Sequence, residues 1–115
     1  MAPNDATVDA ARAAGASVGE KWWQLPLDDE YFELMKSKCA DFNNIGGRWG
    51  GSITAGLYLK QFVDPAKMEW AHLDMAGPVW SEADGPTGFG AATLAAWAIA
   101  EGPVSYTHLT LPTKA

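Results

Sequence analysis

Trp70-Ala71-His72-Leu73-Asp74-Met75, set between Pro65 and Gly77-Pro78, is a short apolar run with the length and flanks of an inner β-strand. Everything around it reads as helix or loop. Before it, Ile53 to Val63 is apolar around most of a helical circumference, which predicts a buried helix capped by Ser52 and ended by Asp64-Pro65. After it, a surface loop from Ser81 to Gly90 leads to an alanine-rich helix, Ala91 to Ala100. Toward the N-terminus, Asp28 or Asp29 opens a helix to about Lys38, with acids at its positive end, Lys36 and Lys38 at its negative end, and Tyr31, Leu34 and Met35 as its buried stripe. Pro26 keeps Trp22 to Leu27 extended, and Asn4 or Asp5 caps a weakly amphipathic first helix to about Gly15. Helices around one strand make an α/β fold whose sheet the chain cannot complete by itself.

Composition narrows the function classes. A length of 115 residues with 48% hydrophobic and 19% charged residues describes one soluble globular unit, neither disordered nor multidomain. Fourteen acidic against eight basic residues give a net charge of −6, the wrong sign for nucleic acid or an anionic membrane surface. A single cysteine, Cys39, excludes an internal disulfide and a CxxC-type zinc site and suits a reducing cytoplasm. No apolar run approaches the roughly 20 residues of a membrane span, and Met1 to Asp5 lacks the basic-then-apolar order of a signal peptide. Six tryptophans are many for this length, and they predict a core that expects further partner surface.

Several residue groups invite a chemical reading, each with a structural alternative. The loop Asn43-Asn44-Ile45-Gly46-Gly47-Arg48-Trp49-Gly50-Gly51 precedes a helix, where backbone N–H groups can hold an anion, but no lysine stands before Ser52 as a phosphate loop requires. Close backbone packing is the competing explanation, and Arg48 can serve a carboxylate, a carbonyl or a neighbouring subunit. His72 and Asp74 alternate on one face of the predicted strand and could share a metal, yet two ligands do not make a site, and a hydrogen-bonded core pair explains them equally. Asp41 is equally ambiguous, no Ser-His-Asp set can be assembled, and Cys39 near a helix end reads as a packed thiol. The scatter of the tryptophans favours core and interface use over a carbohydrate platform.

The segment from Pro103 onward changes character, with no periodicity and no charge before Lys114. An exposed C-terminal strand is one expectation. The other comes from back-translation: Val104 to Thr113 resembles the frame GTC TCT TAT ACA CAT CTG ACG CTG CCG ACG, the mosaic end of a transposase-based sequencing adapter. On that reading residues 104–115 are an artefactual tail, and Tyr106 and His108 carry no function.

Four blocks, in order and spacing, resemble the C-terminal end of the leucyl aminopeptidase (cytosol aminopeptidase) family: Trp23-Gln24-Leu25-Pro26-Leu27, Ala40 through Gly56, Trp70 through Trp80, and Thr87-Gly88-Phe89-Gly90. The likeness runs over most of residues 1–103, and Met1 is similar to an internal methionine of that family. The resemblance implies an incomplete C-terminal part of a three-layer α/β/α peptidase catalytic domain over residues 1–103. It implies an enzyme that removes N-terminal amino acids, often leucine, from peptides, using two divalent ions, zinc or manganese, and assembled as a cytoplasmic homo-hexamer. The family's metal ligands and its catalytic lysine and arginine lie upstream of the point matching Met1, and its signature Asn-Thr-Asp-Ala-Glu-Gly-Arg is absent here. No catalytic or metal-binding role therefore carries over, and the resemblance implies an inactive piece that binds no metal itself. What carries over is the pocket for the substrate's N-terminal side chain, at Ala76 and Val79. The alternative is a stand-alone, non-catalytic binding or assembly module derived from the family.

Overall fold

The computed structural model describes residues 1–64 and 66–102. Pro65, the adapter-like stretch with Tyr106 and His108, and the expected tail 104–115 lie outside the described residues.

Helix α1 spans Asp5–Ser17, and Asn4 caps it as expected: its side-chain oxygen accepts the Thr7 N–H at 2.8 Å. Thr7, Val8, Ala11, Ala14 and Gly15 form its buried stripe at helical spacing.

Asp28 also caps, accepting the Glu30 N–H at 3.0 Å, but the helix it opens is a 3-10 helix, Asp29–Met35, and not an α-helix to Lys38. Competing hydrogen bonds explain the early stop. Asn43 donates its backbone N–H to the Met35 carbonyl at 2.7 Å and its side-chain amide to the Lys36 carbonyl at 2.8 Å, while Ser37 Oγ accepts the N–H groups of Cys39 and Ala40. Those groups would otherwise have bonded one another in a further α-turn. The change of period also moves the buried stripe. At three residues per turn Phe32 shares a face with Met35, so Met35 is fully buried and Phe32 packs on Phe42, whereas Tyr31 and Leu34 are exposed.

Helix α2, Gly51–Lys60, begins before Ser52 and has no side-chain cap; Ile53 and Thr54 donate to the Gly50 carbonyl at 2.9 and 3.0 Å. It is not buried all round, because only Thr54, Gly56 and Leu57 are enclosed, and Leu59 and Phe62 face outward.

Trp70 to Met75 is neither helix nor part of a strand ladder among the described residues. One residue pair holds it: the His72 N–H donates to the Met1 carbonyl at 2.8 Å, and the Met1 nitrogen donates to the His72 carbonyl at 3.0 Å. That reciprocal exchange is the bonded pair of an antiparallel ladder, too short to count as a strand. The ladder that does form starts at Trp80, just before the expected loop, and runs into it. Strand β1, Trp80–Ser81, runs antiparallel to β2, Gly85–Pro86, with Trp80 opposite Pro86, and Ser81 Oγ accepts the N–H groups of Ala83 and Asp84 to close the turn. Helix α3, Ala91–Ala100, has the expected bounds and packs on α1, while the 3-10 helix packs on α2.

The result is α/β with a sparse core. Among the described residues, the buried apolar side chains are Val8, Ala11, Ala14, Met35 and Leu57. Trp23 is 89% exposed, Trp49 78% and Ile99 80%, so much of the apolar surface that the composition supplies is left outside this core.

Candidate substrate cleft

Met1 and Ala2, the middle of α1 from Val8 to Arg12, the Trp22–Leu25 segment and residues 71–74 and 76–78 enclose a cleft of about 290 Å³. Its wall joins the apolar faces of Trp22, Leu25 and Leu73 to Gln24 and Ser52 and to three ionisable groups, Arg12, His72 and Asp74. The sequence's suspected His72–Asp74 pair is thus brought to one place. The buried Nε2 of His72 has no hydrogen-bond partner among the described residues, and its ring stacks at 28° on Trp70 with centroids 6.5 Å apart. Burial pushes the His72 pKa down; Asp74 opposes that shift and the Met1 amine adds to it.

Ala76 stands on the cleft wall, just after the Trp70 to Met75 segment. Val79 does not line the cleft; it is half-buried in the turn leading to β1, where its carbonyl accepts the Thr87 N–H at 3.0 Å. Arg48 is exposed and lies over the Trp49 ring, 5.2 Å from its centroid, as a surface cation–π pair. Asp41 is exposed. Cys39 is exposed as well, not packed, because the chain leaves the helix at Lys36 and turns at the surface around Ser37.

Behind Trp22, outside the cleft lining, a further polar group escaped the sequence reading. Glu20 reaches across 70 residues of chain to the start of α3, accepting the Gly90 N–H at 3.0 Å and the Thr93 N–H at 3.2 Å; the Thr93 hydroxyl also donates to it. Thr93 Oγ1 in turn accepts the Trp22 indole N–H at 2.9 Å. These bonds, the Thr93 hydroxyl foremost, hold the Glu20 pKa below the ordinary carboxylate range against the opposing effect of burial. The available signal was an omission: α3 has Gly90 at its N-cap and no capping side chain of its own, so an acceptor had to come from elsewhere.

The sequence profile of the cytosol aminopeptidase family, catalytic domain, matches residues 1–95. The chain belongs to that family. It is 52% identical over 98 residues to the chloroplastic leucine aminopeptidase 2 of Oryza sativa subsp. japonica, covering 84% of this chain and 16% of that protein. It is 54% identical over 96 residues to leucine aminopeptidase 1 of Arabidopsis thaliana, covering 83% of this chain and 18% of that one. Among solved structures, a lysine-to-glutamate mutant of tomato leucine aminopeptidase superposes with a TM-score of 0.81 at 46% identity, over 86% of this chain and 20% of that chain. The bottromycin maturation enzyme BotP in complex with Mn superposes with a TM-score of 0.81 at 34% identity, over 87% and 23%. The cytosol aminopeptidase fold is thus present here in part, with the chain spanning about one-fifth of those structures.

The described residues do not by themselves fit a two-metal centre. No group of three or more His, Cys, Asp or Glu side chains converges among them, and the cleft offers only His72 and Asp74. Among the described residues no helix is long and apolar enough to cross a membrane.

Proposed function

We propose that residues 1–103 are the C-terminal part of the catalytic domain of a metal-dependent leucyl aminopeptidase and form the edge of its pocket for the substrate's N-terminal side chain. The supporting observation is the family match over residues 1–95 combined with the place of Ala76, a small apolar side chain on a cleft wall it shares with Trp22, Leu25 and Leu73. A methyl group there leaves room for a leucine- or methionine-sized side chain and offers it no polar partner, with Val79 the next apolar residue along the turn.

Binding and orienting that side chain is the chemistry these residues supply. The two zinc or manganese ions, the lysine and the arginine that the family resemblance implies belong to sequence outside residues 1–115, as does the surface that completes a homo-hexamer. Peptides are the substrates, and a cytoplasmic location accords with the family. By this reading the 115-residue chain alone binds no metal ion and releases no amino acid.

The test is Ala76→Leu in the longer reading frame. Filling the pocket with an isobutyl group lowers kcat/KM for a leucyl anilide by about 10- to 200-fold and spares an alanyl anilide, since that is the worth of a mismatched methylene or two in an apolar pocket. Equal loss on both substrates, or on neither, contradicts the assignment. A reading frame without the upstream Asn-Thr-Asp-Ala-Glu-Gly-Arg signature would favour the non-catalytic module instead.

A further inference from the structure

The Trp22 indole sits where three separate parts of the chain converge. Its N–H is held by Thr93 in α3, its ring packs on Phe89 with centroids 5.0 Å apart, and one edge lies over Gly15 near the end of α1. A Cβ at Gly15 would collide with the indole, coming within 2.7 Å of Nε1, so the glycine is what allows the ring to lie against the helix. Thr93 is fully buried, and its hydroxyl is used in both directions, donating to Glu20 and accepting from Trp22. Glu20 is fixed in turn by the N–H groups of Gly90 and Thr93. Gly90 adopts φ +93, and a side chain there would meet both that conformation and the sulfur of Met75.

A hydroxyl whose proton is committed to a carboxylate must present a lone pair to its other neighbour. The carboxylate therefore sets the direction of the Thr93 O–H, and that direction sets where the indole N–H can point. We propose that Glu20 and Thr93 are positioning residues that fix the Trp22 indole as the aromatic wall of the cleft. Neither touches the cleft; both act through Trp22. The inference deepens the reading of the cleft as a side-chain pocket and rests on it only for what the wall contacts, since the wall's fixation is measurable with no ligand.

The experiment is hydrogen exchange of tryptophan indoles by NMR on the full 115-residue chain, with Trp22→Phe identifying the Trp22 signal. In the unmodified chain the Trp22 indole is protected. Thr93→Val keeps the shape but removes the hydroxyl, and Glu20→Ala removes the acceptor; each speeds Trp22 indole exchange by about tenfold, the worth of one buried hydrogen bond. Thr93→Ser restores protection. The backbone amides of Ala11 and Ala14 in α1 keep their rates in all variants. Unprotected Trp22 in the unmodified chain overturns the proposal, as does unchanged exchange in Thr93→Val. Trp22 and the α1 amides accelerating together would also overturn it, because that reports general loosening and not positioning. A failed cleft assignment shows separately, in the Ala76→Leu substrate comparison.

Discussion

The α1–α3 pair and the pair made by the 3-10 helix and α2 are joined by different forces. The segment that follows α1 is tied to α3 by a directional polar network, Glu20 to Thr93 to Trp22, spanning 70 residues of sequence. Between the 3-10 helix and α2 the joint is aromatic and aliphatic: Phe42 meets Phe32, Tyr58 and Phe62 at 5.4, 5.7 and 6.1 Å, over the buried Met35 and Leu57. Hydrogen bonds specify one geometry, whereas an apolar cluster tolerates several of about equal volume. The difference places the geometric precision beside the cleft and the bulk adhesion away from it.

The largest effect expected comes from the apolar joint. Leu57→Ala empties a fully buried site and costs about 2–5 kcal/mol, a large loss where only five apolar side chains are buried among the described residues; urea or thermal unfolding reads it directly. Acid acts instead on the cleft segment and on the network at α3. Burial keeps the folded-state pKa of His72 below its unfolded value, so its contribution is complete above about pH 6.5 and declines as pH falls. Glu20, whose folded pKa is also lowered, contributes fully above the ordinary carboxylate range and loses that contribution as pH drops below about 4. Glu20→Gln should therefore flatten the lower limb of a stability–pH curve and leave the upper limb in place.

Asn4→Ala removes the side-chain cap of α1 and costs about 1 kcal/mol, seen as a lower Tm and as faster amide exchange at Thr7. Smallest of all is Asp29→Asn. Its partner Lys60 Nζ lies 2.7 Å away, but the Asp29 side chain is 74% exposed, so the pair contributes about 0–1 kcal/mol and its loss should vanish in high salt.

The helical parts of the fold were legible where a cap and a periodic stripe coincide. Asn4 with Val8, Ala11 and Ala14 defines α1, and the alanine run defines α3. The 3-10 helix was misread as α because the residues that end it, Ser37 and Asn43, act on backbone groups that a periodicity argument never inspects. The strand at Trp70 to Met75 has the right chemistry but finds only Met1 to pair with among the described residues, since a ladder needs a neighbour that composition cannot supply. Ala76 came from the family resemblance, and the cleft wall at Trp22 came from neither source. Its partners Glu20 and Thr93 stand 73 residues apart, and only folding makes them neighbours.

On the proposed reading, these residues shape a side-chain pocket while the reacting groups lie elsewhere. Incubating the purified 115-residue chain with a leucyl anilide and manganese should then release no leucine above the metal-only blank. Sustained release that scales with the chain's concentration and stops with a chelator would overturn that division of labour.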